Sequence, residues 1–592
     1  MGIPLFFKYL HTTYPHMVCE VHLFPTEQTE RTEGEGSGCE ELYIDFNCAV
    51  HRCAQEVLEG LREEVAAGTT RATVEMVNER VVQRSCAFAL SLIHAVGPEQ
   101  FVYLAIDGVP PLSKIKQQRD RRYISEWSKR SNTTDSEVDV DVDVEALWDS
   151  TCVTPDTPFM RRLNACVNKL AKSMKRTAQK KKKGHQQLAS GCQVVVSDAS
   201  DPGEGEQKIM HVIRERHHDG ARRKASYMYG LDTDLLLLGA LCWPCQDLKV
   251  LRPMDGPSSV DDHNDYYVVD VSMFREVIHG LVRGPDVTQS VLDYTVLCSL
   301  LGNDFTPGLA CLPVSRDSME SLLDIYHRTI TASSAHTDKG RALVSGASVD
   351  YEILRQVLEG VSITEDVRMR DVDKTYYEQA SKERRRKQYQ PMSSPCHYPM
   401  DRYPLLYPFP NVIRPGEAGW RPRYYHHLFI EGGTEATHDA CLEYLNGVQW
   451  SLDYHCQRDV DGTWHCSYHY APTALDLANN LMVQQSNTHC DDGTTDTKVK
   501  AKHGLNEDMQ LLLVLPPRSM AKHVDARLSD IATSVRRGCV QFYPRDFRML
   551  TYLKRYTSEC VPVLPVLDHR RILHEYLTCR RKPMSMRGRL HS

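Results

Sequence analysis

With 592 residues, the chain is too long for one ordinary core, so two or more lobes are expected. Apolar and charged contents of 41% and 25% lie near the globular average and exclude wholesale disorder. A net charge of −7 excludes any argument for a nucleic-acid partner from bulk charge, so that reading has to rest on local patches.

In chain order, Met1–Tyr14 reads as a short helix that opens the fold, and Thr26–Glu41, rich in Glu, Gly and Thr, as a surface insertion. Leu42–Asp45 is a short strand, followed by helical periodicity over Cys48–Ala66 and Ala72–Val96. Phe101–Asp107 is a second strand, stopped by Gly108 and Pro110, and Pro111–Lys129 is a very basic helix. Ser131–Glu145 is an acidic low-complexity insertion, expected as a solvated loop. Phe159–Lys183 reads as a long helix ending in the lysine run Lys180–Lys183. Val194–Ser197 is a third strand, and Ser226–Gly230 leads into a fourth.

This alternation of apolar strands and helices predicts an α/β fold with a mixed, largely parallel central sheet flanked by helices. Residues 1–330 are expected to form that first region. Thr331–Arg368 is less patterned, and 331–390 is expected to connect the lobes. From Pro391 the composition shifts towards Pro, Tyr, Trp and His, and 391–575 reads as a second, α-rich lobe. The basic tail, 576–592, is expected to be disordered.

The longest strongly apolar stretch, Leu235–Leu241, is far below membrane-spanning length, and MGIPLFFKYL is too short for a secretory signal. Gly2 invites myristoylation, but Phe6 stands where Ser or Thr is wanted. The 20 cysteines are scattered, so a soluble intracellular protein with mostly reduced thiols and no membrane partner is expected. Basic clusters at Lys180–Lys183, Arg384–Lys387 and Arg580–Lys582 permit nuclear import but also suit cytosolic RNA binders. Nucleus and cytoplasm both stay open.

Four acidic segments carry the chemistry: LYIDFN, PGEGEQK, YGLDTDLLLLG and LLGNDF. Asp45, Asp107 and the Asp232/Asp234 pair fall at predicted strand ends, where ligands collect in α/β sheets. Glu204 and Glu206 sit in a Gly-rich turn leading into a helix, and Asp304 follows an apolar helix. Buried carboxylates are costly unless something positive pairs with them. Such oxygen donors suit Mg2+ or Mn2+. Two such ions roughly 3.5–4 Å apart would activate water and stabilise the leaving oxygen in phosphodiester hydrolysis. Any one of these acids alone reads as a cap or a surface charge.

After Asp107, basic and amide residues repeat at helical spacing. Lys114, Gln118, Arg121 and Arg122 fall within about one helix face. Arg supplies forked donors and Lys a point charge, so this face fits a terminal phosphate. An ordinary basic helix surface is the bland alternative.

These segments, with MGIPLFFKYL, LYIDFNCAVH, AIDGVPPLSKIKQQRDRRY, VSDASDPGEGEQKIM, YLNGVQWSLDYHC, YHYAP, LPPRSM, FYPRDF and VPVLPVLD, resemble the Xrn family of 5′-to-3′ exoribonucleases in matching order. The resemblance implies two regions around one active site, the first holding the metals and the second closing the pocket. It implies Asp45, Asp107, Glu204, Glu206, Asp232, Asp234 and Asp304 as the metal-binding, catalytic acids. It implies Lys114, Gln118, Arg121 and Arg122 as the pocket for a 5′-monophosphate, and His51 and Trp450 as stackers at the two ends of the bound bases. Stacking on aromatic faces is tolerant of sequence, at about 1–3 kcal/mol per base. The implied reaction is processive, metal-dependent hydrolysis of single-stranded RNA, with capped and triphosphorylated ends excluded. Cys48 stands where the family usually has Gly, the two insertions depart from the common pattern, and the chain ends soon after the second region.

Other readings stay in view. A scaffold that binds RNA without cutting it would keep the fold, and structure-specific flap endonucleases also use acidic two-metal sites. Cys242-Trp-Pro-Cys245 has redox-motif spacing, though it follows an apolar run. His455, Cys456, His465, Cys466 and His469 include only one pair, His465 and His469, at zinc-finger spacing.

Overall fold

The computed structural model describes residues 6–22, 38–133, 147–179, 189, 191–218, 225–254, 265–334, 341–389, 400–429, 434–487 and 505–581. Most of both expected insertions, the lysine run Lys180–Lys183 and the tail beyond Arg581 lie outside these residues.

Seven strands form the central sheet: β1 (Val18–His22), β2 (Cys39–Asp45), β3 (Phe101–Ala105), β4 (Gln193–Ser197), β5 (Ala225–Tyr229), β6 (Leu248–Pro253) and β7 (Asp265–Asp270). Their order is β1-β7-β6-β5-β2-β3-β4. The five strands from β6 to β4 are mutually parallel, while β7 runs antiparallel to both β6 and β1. The sheet is therefore mixed and mostly parallel, as the strand–helix alternation predicts. The three strands missing from the sequence reading are β1, β6 and β7. They make the edge at which the parallel pattern breaks down.

Every residue of β2 and β3 is buried. Successive side chains alternate between faces. Leu42, Ile44, Val102 and Leu104 enter a core shared with the helices Phe46–Ala66, Val74–Val96 and Pro158–Gln179. Tyr43, Phe101, Tyr103 and Ala105 face the opposite core, which runs on into the C-terminal helices. A sheet covered on both faces suits parallel strands. From β2 the chain winds outward through β3 to β4, then crosses back to place β5 on the other side of β2. That reversal opens a crevice beyond the carboxyl ends of β2 and β5, where α/β sheets bind ligands.

The stretch from 331 proves more regular than its sequence pattern predicts. It contains a helix of 39 residues, Tyr351–Tyr389, which carries Arg384–Lys387 on its exposed last turns. Residues 576–581 are not a disordered tail: they complete the helix His569–Arg581, with Tyr576 and Cys579 buried against the same core as Leu512 and Val535.

The basic helix, Leu112–Thr133, is clamped by the C-terminal region. Its Val109–Ile115 end joins a core with the helix Glu507–Val514. Arg119, 1% exposed, donates to the carbonyls of Leu513 and Phe542 and lies over the Tyr123 ring. A buried guanidinium that satisfies two carbonyls leaves both orphaned when removed. Arg119→Ala is expected to cost about 3 kcal/mol, seen as a lower thermal midpoint, whereas exchanging the half-buried Arg130, whose ion-pair partner Asp546 is exposed, for Ala changes the midpoint little.

Candidate active site

The acids gather at the crevice because strand ends, helix starts and a turn meet there. Asp45 is the last residue of β2 and caps the helix that follows, accepting from the Asn47 amide at 3.2 Å and from the Cys48 thiol at 2.9 Å. Asp107 lies just past β3, where the Gly205 amide donates to it at 2.6 Å and the Asn47 side chain at 2.8 Å. Glu204 and Glu206 flank Gly205 at the start of the helix Gly205–Arg216. Asp232 and Asp234 follow β5, and Asp234 opens the helix Asp234–Ala240. Asp304 sits in a turn after the helix Val287–Leu300. In that turn Gly302 takes φ +97° and Asn303 accepts from the amides of Phe305 and Thr306.

Gly205 shows how tight the centre is. A Cβ there would lie 3.2 Å from both Asp45 Oδ1 and Asp107 Oδ1.

Electrostatics join the seven acids into one cluster. Burial first, then the Asp107 carboxylate, raises Asp45 to about 7. Burial and Glu204 raise Asp107. Burial with Glu204, Asp232 and Asp234 pushes Glu206 well above the carboxylate range, and burial with Asp232 and Asp304 does the same for Asp234.

Lys114 of the basic helix enters this cluster. Its ammonium reaches Glu204 Oε2 at 2.5 Å and Asp304 Oδ2 at 2.9 Å. Burial works against its charge, but Asp304, Glu204 and Glu206 hold it firmly protonated. Arg121 lies 3.4 Å from Asp304. Against the pull of burial, Lys114 and Arg121 keep Asp304 well below the usual carboxylate range.

The remaining members of the basic face are partly engaged elsewhere. Gln118 accepts from Gln510 at 3.0 Å, and Arg122 donates to the Val153 carbonyl at 3.0 Å. His51 is exposed on the helix beside them. Crowding around its ring, with the charges of Arg122 and Arg121 adding, lowers it to about 4, so the ring is neutral near pH 7.

Trp450 departs from expectation. It is 6% exposed, stacks 5.0 Å from both Tyr454 and Trp464, and donates from Nε1 to the Asp461 carbonyl. The half-buried Trp464 is the more open ring of the pair.

Three supporting residues escaped the sequence reading. Tyr454, from the C-terminal helix Thr434–His455, donates to Glu204 Oε1 at 2.5 Å. Asn47 links the Asp45 and Asp107 segments. Lys208 donates to the carbonyls of Ile106 and Asp198 and so ties the Glu204 turn to β3. Asn47 and Lys208 stand inside the quoted motifs, whereas no local signal marks Tyr454.

The rival motifs find no support. Cys242 and Cys245 are both buried, burial raises both thiols, and Arg275 binds their carbonyls.

The N-terminal model of the XRN 5′-3′ exonucleases matches residues 1–254, and the Xrn1 helical domain matches 285–398 and 409–582. The chain belongs to the Xrn family. A curated Drosophila melanogaster relative, "5′-3′ exoribonuclease 2 homolog", is 24% identical over 97% of this chain and 70% of its own length. The Caenorhabditis elegans protein of that description is 23% identical over 99% and 72%. Human "5′-3′ exoribonuclease 1" is 23% identical over 98% of this chain but only 34% of its own. The catalytic core of Rad2 with DNA aligns at a TM-score of 0.27 and 13% identity, over 57% of this chain and 75% of that one. Among the described residues no helix is long and apolar enough to cross a membrane.

Xrn-family membership raises the question of divalent metal, and the donor chemistry of this site fits one. Among the described residues no three His, Cys, Asp or Glu side chains already stand in a ligating arrangement. Lys114 instead lies between Glu204 and Asp304. The raised Asp45, Glu206 and Asp234 mark carboxylates crowded beyond what one ammonium relieves, and hard oxygen donors suit Mg2+ or Mn2+.

An acid whose folded pKa lies above its unfolded value loses folded stability as pH rises. For Asp45 the window runs from about 4 up through 7. In EDTA the thermal midpoint of the wild type should therefore fall more steeply than that of Asp45→Asn between pH 5 and pH 8, by about 2 °C or more. Added Mg2+ should close that gap at pH 8. Identical slopes would remove the raised carboxyl from the account.

Proposed function

We propose that this chain is a divalent-metal-dependent, processive 5′-3′ exoribonuclease acting on single-stranded RNA with a 5′-monophosphate, in RNA decay or processing. Membership of the Xrn family supports the direction and the substrate class. The single observation that carries the finer reading is the contact of Lys114 with Glu204 and Asp304, which sets the cationic helix directly against the acids.

In this reading Asp45, Asp107, Glu204, Glu206, Asp232, Asp234 and Asp304 would hold Mg2+ or Mn2+, two ions in all. The metal, once bound, supplies charge stabilisation and a water activated at neutral pH. The protein does the rest. Lys114 shifts its ammonium towards the incoming phosphate, joined by Arg121, Arg122 and Gln118. The guanidinium forks and the buried helix fix the phosphate's position. Neutral His51 offers a ring face to the first bases without repelling a cation. Trp450 at the other end stacks on RNA only where Trp464 moves aside. The half of the pocket contributed by Tyr454 and the C-terminal helices excludes bulk water and, by size, larger 5′ ends.

Phosphate, stacking and sugar contacts carry no base code, so any RNA sequence is a substrate. Each cut exposes a new 5′-phosphate, which suits repeated cleavage without release. The intact set of acids disfavours a scaffold without catalysis, and family membership disfavours a flap endonuclease. The basic cluster Arg384–Lys387 is compatible with nucleus and cytoplasm alike.

The test uses end-labelled RNAs that differ only at the 5′ end. Monophosphorylated RNA should be degraded in Mg2+, not in EDTA, and at least about tenfold faster than triphosphorylated RNA. Asp232→Ala with Asp234→Ala should lower the rate at least about 100-fold while RNA binding persists. Equal decay of both ends, decay in EDTA, or preference for branched DNA would overturn the proposal.

A further inference from the structure

Outside the active site, the thiols of Cys86 and Cys166 meet across two packed helices. Cys86 lies on Val74–Val96 and Cys166 on Pro158–Gln179. The Cys86 thiol donates to the Cys166 sulfur at 3.0 Å. The two residues are 80 positions apart in the chain, so the fold brings them together, not the sequence. Cys86 is buried and Cys166 only half-buried. The described cysteines are all free thiols.

We propose that Cys86 and Cys166 are a reversible oxidation site that forms a disulfide when the protein meets a hydroperoxide. Closing from 3.0 Å to a bond of ~2.05 Å brings the two sulfurs about 1 Å nearer. Cys166, the more accessible thiol, reacts first. As its thiolate, it takes the terminal peroxide oxygen while the O–O bond breaks, giving a sulfenic acid and, from hydrogen peroxide, hydroxide. The Cys86 sulfur then attacks. The S–S bond forms, the S–O bond breaks, and the hydroxyl leaves as water with the Cys86 proton. In sum, two thiols and one peroxide give one disulfide and two waters.

The placement gives the bond a mechanical consequence. The Pro158–Gln179 helix braces the approach to the Glu204 turn: Asn168 donates to Asp198 at 2.8 Å, and Asn164 accepts from the Ala199 amide at 3.5 Å. Its Arg161 pairs with Asp525 of the C-terminal region at 2.7 Å. A disulfide would fasten this helix to its neighbour and close a long loop in the unfolded chain, a source of added stability.

Cys48 touches the Asp45 carboxylate, so the test reads the covalent bond and not nuclease activity. Its outcome is independent of the proposed RNA chemistry. The purified protein is treated with hydrogen peroxide, alkylated under denaturing conditions and digested without reductant for mass spectrometry. The expected result is a linked peptide pair containing Cys86 and Cys166 that dithiothreitol removes. The thermal midpoint should rise by about 2 °C or more on oxidation in the wild type and stay unchanged in Cys166→Ser. Alkylation of both thiols after peroxide, a sulfinic acid at Cys166 with Cys86 still free, or a link from Cys86 to the nearby Cys53 would each overturn the proposal. Should the variant fail to fold, the wild-type peptide map decides alone.

Discussion

Seven carboxylates cannot share one buried crevice without an opposing charge. Among the described residues the Lys114 ammonium, set between Glu204 and Asp304 with Arg121 beside it, supplies opposing charge. Its effect is local: Asp304 stays ionised under its influence, while Asp45, Glu206 and Asp234 are driven towards the protonated form. In the proposed reading, divalent cations would let these carboxylates ionise, with release of the protons they hold. Lys114 belongs to the same helix as Arg121 and Arg122. The ammonium set against the acids therefore shares a helix with the side chains proposed to receive an incoming phosphate.

The architecture serves that arrangement in three ways. The crossing from β4 back to β5 places two acid-bearing strand ends side by side. Gly205 lets the Glu204–Glu206 turn approach the Asp45 and Asp107 oxygens to a distance at which an added Cβ would crowd both. The C-terminal helices then close over the basic helix through the buried Arg119 and over Glu204 through Tyr454. The two halves of the chain are thus coupled at the charged centre itself. A change in how the C-terminal helices pack would be felt directly by a proposed metal ligand.

The acids and the basic helix were legible because each breaks a strong local pattern. A carboxylate at the end of an apolar run, as at Asp45 or Asp234, has few explanations in a soluble fold. The parallel centre of the sheet was legible for the same reason, since strands buried on both faces read as unbroken apolar runs. Elsewhere the deciding forces are tertiary. Trp450 is buried among Phe305, Tyr454 and Trp464, and no local pattern ties its ring to Phe305 or Trp464. Tyr454 looks like any aromatic on a core helix until the fold brings it to Glu204, 250 residues away. Strands β1, β6 and β7 form one side of the sheet, where β7 pairs antiparallel with both neighbours, a pairing that no local pattern marks. The helix Tyr351–Tyr389 is polar enough along much of its length to pass for a connector. The spacing of Gln118 and Arg122 says nothing of their partners, Gln510 and Val153, which only the folded structure brings to them.

The central claim is that acids from distant segments share divalent cations next to the Lys114 helix. Anomalous diffraction at the manganese edge, from crystals grown with MnCl2, tests it most directly. Peaks are expected about 2.0–2.6 Å from carboxylate oxygens of the seven-acid cluster, with the Lys114 ammonium displaced from its present position between Glu204 and Asp304. A cluster that binds no manganese, or manganese bound only elsewhere on the protein, would contradict it.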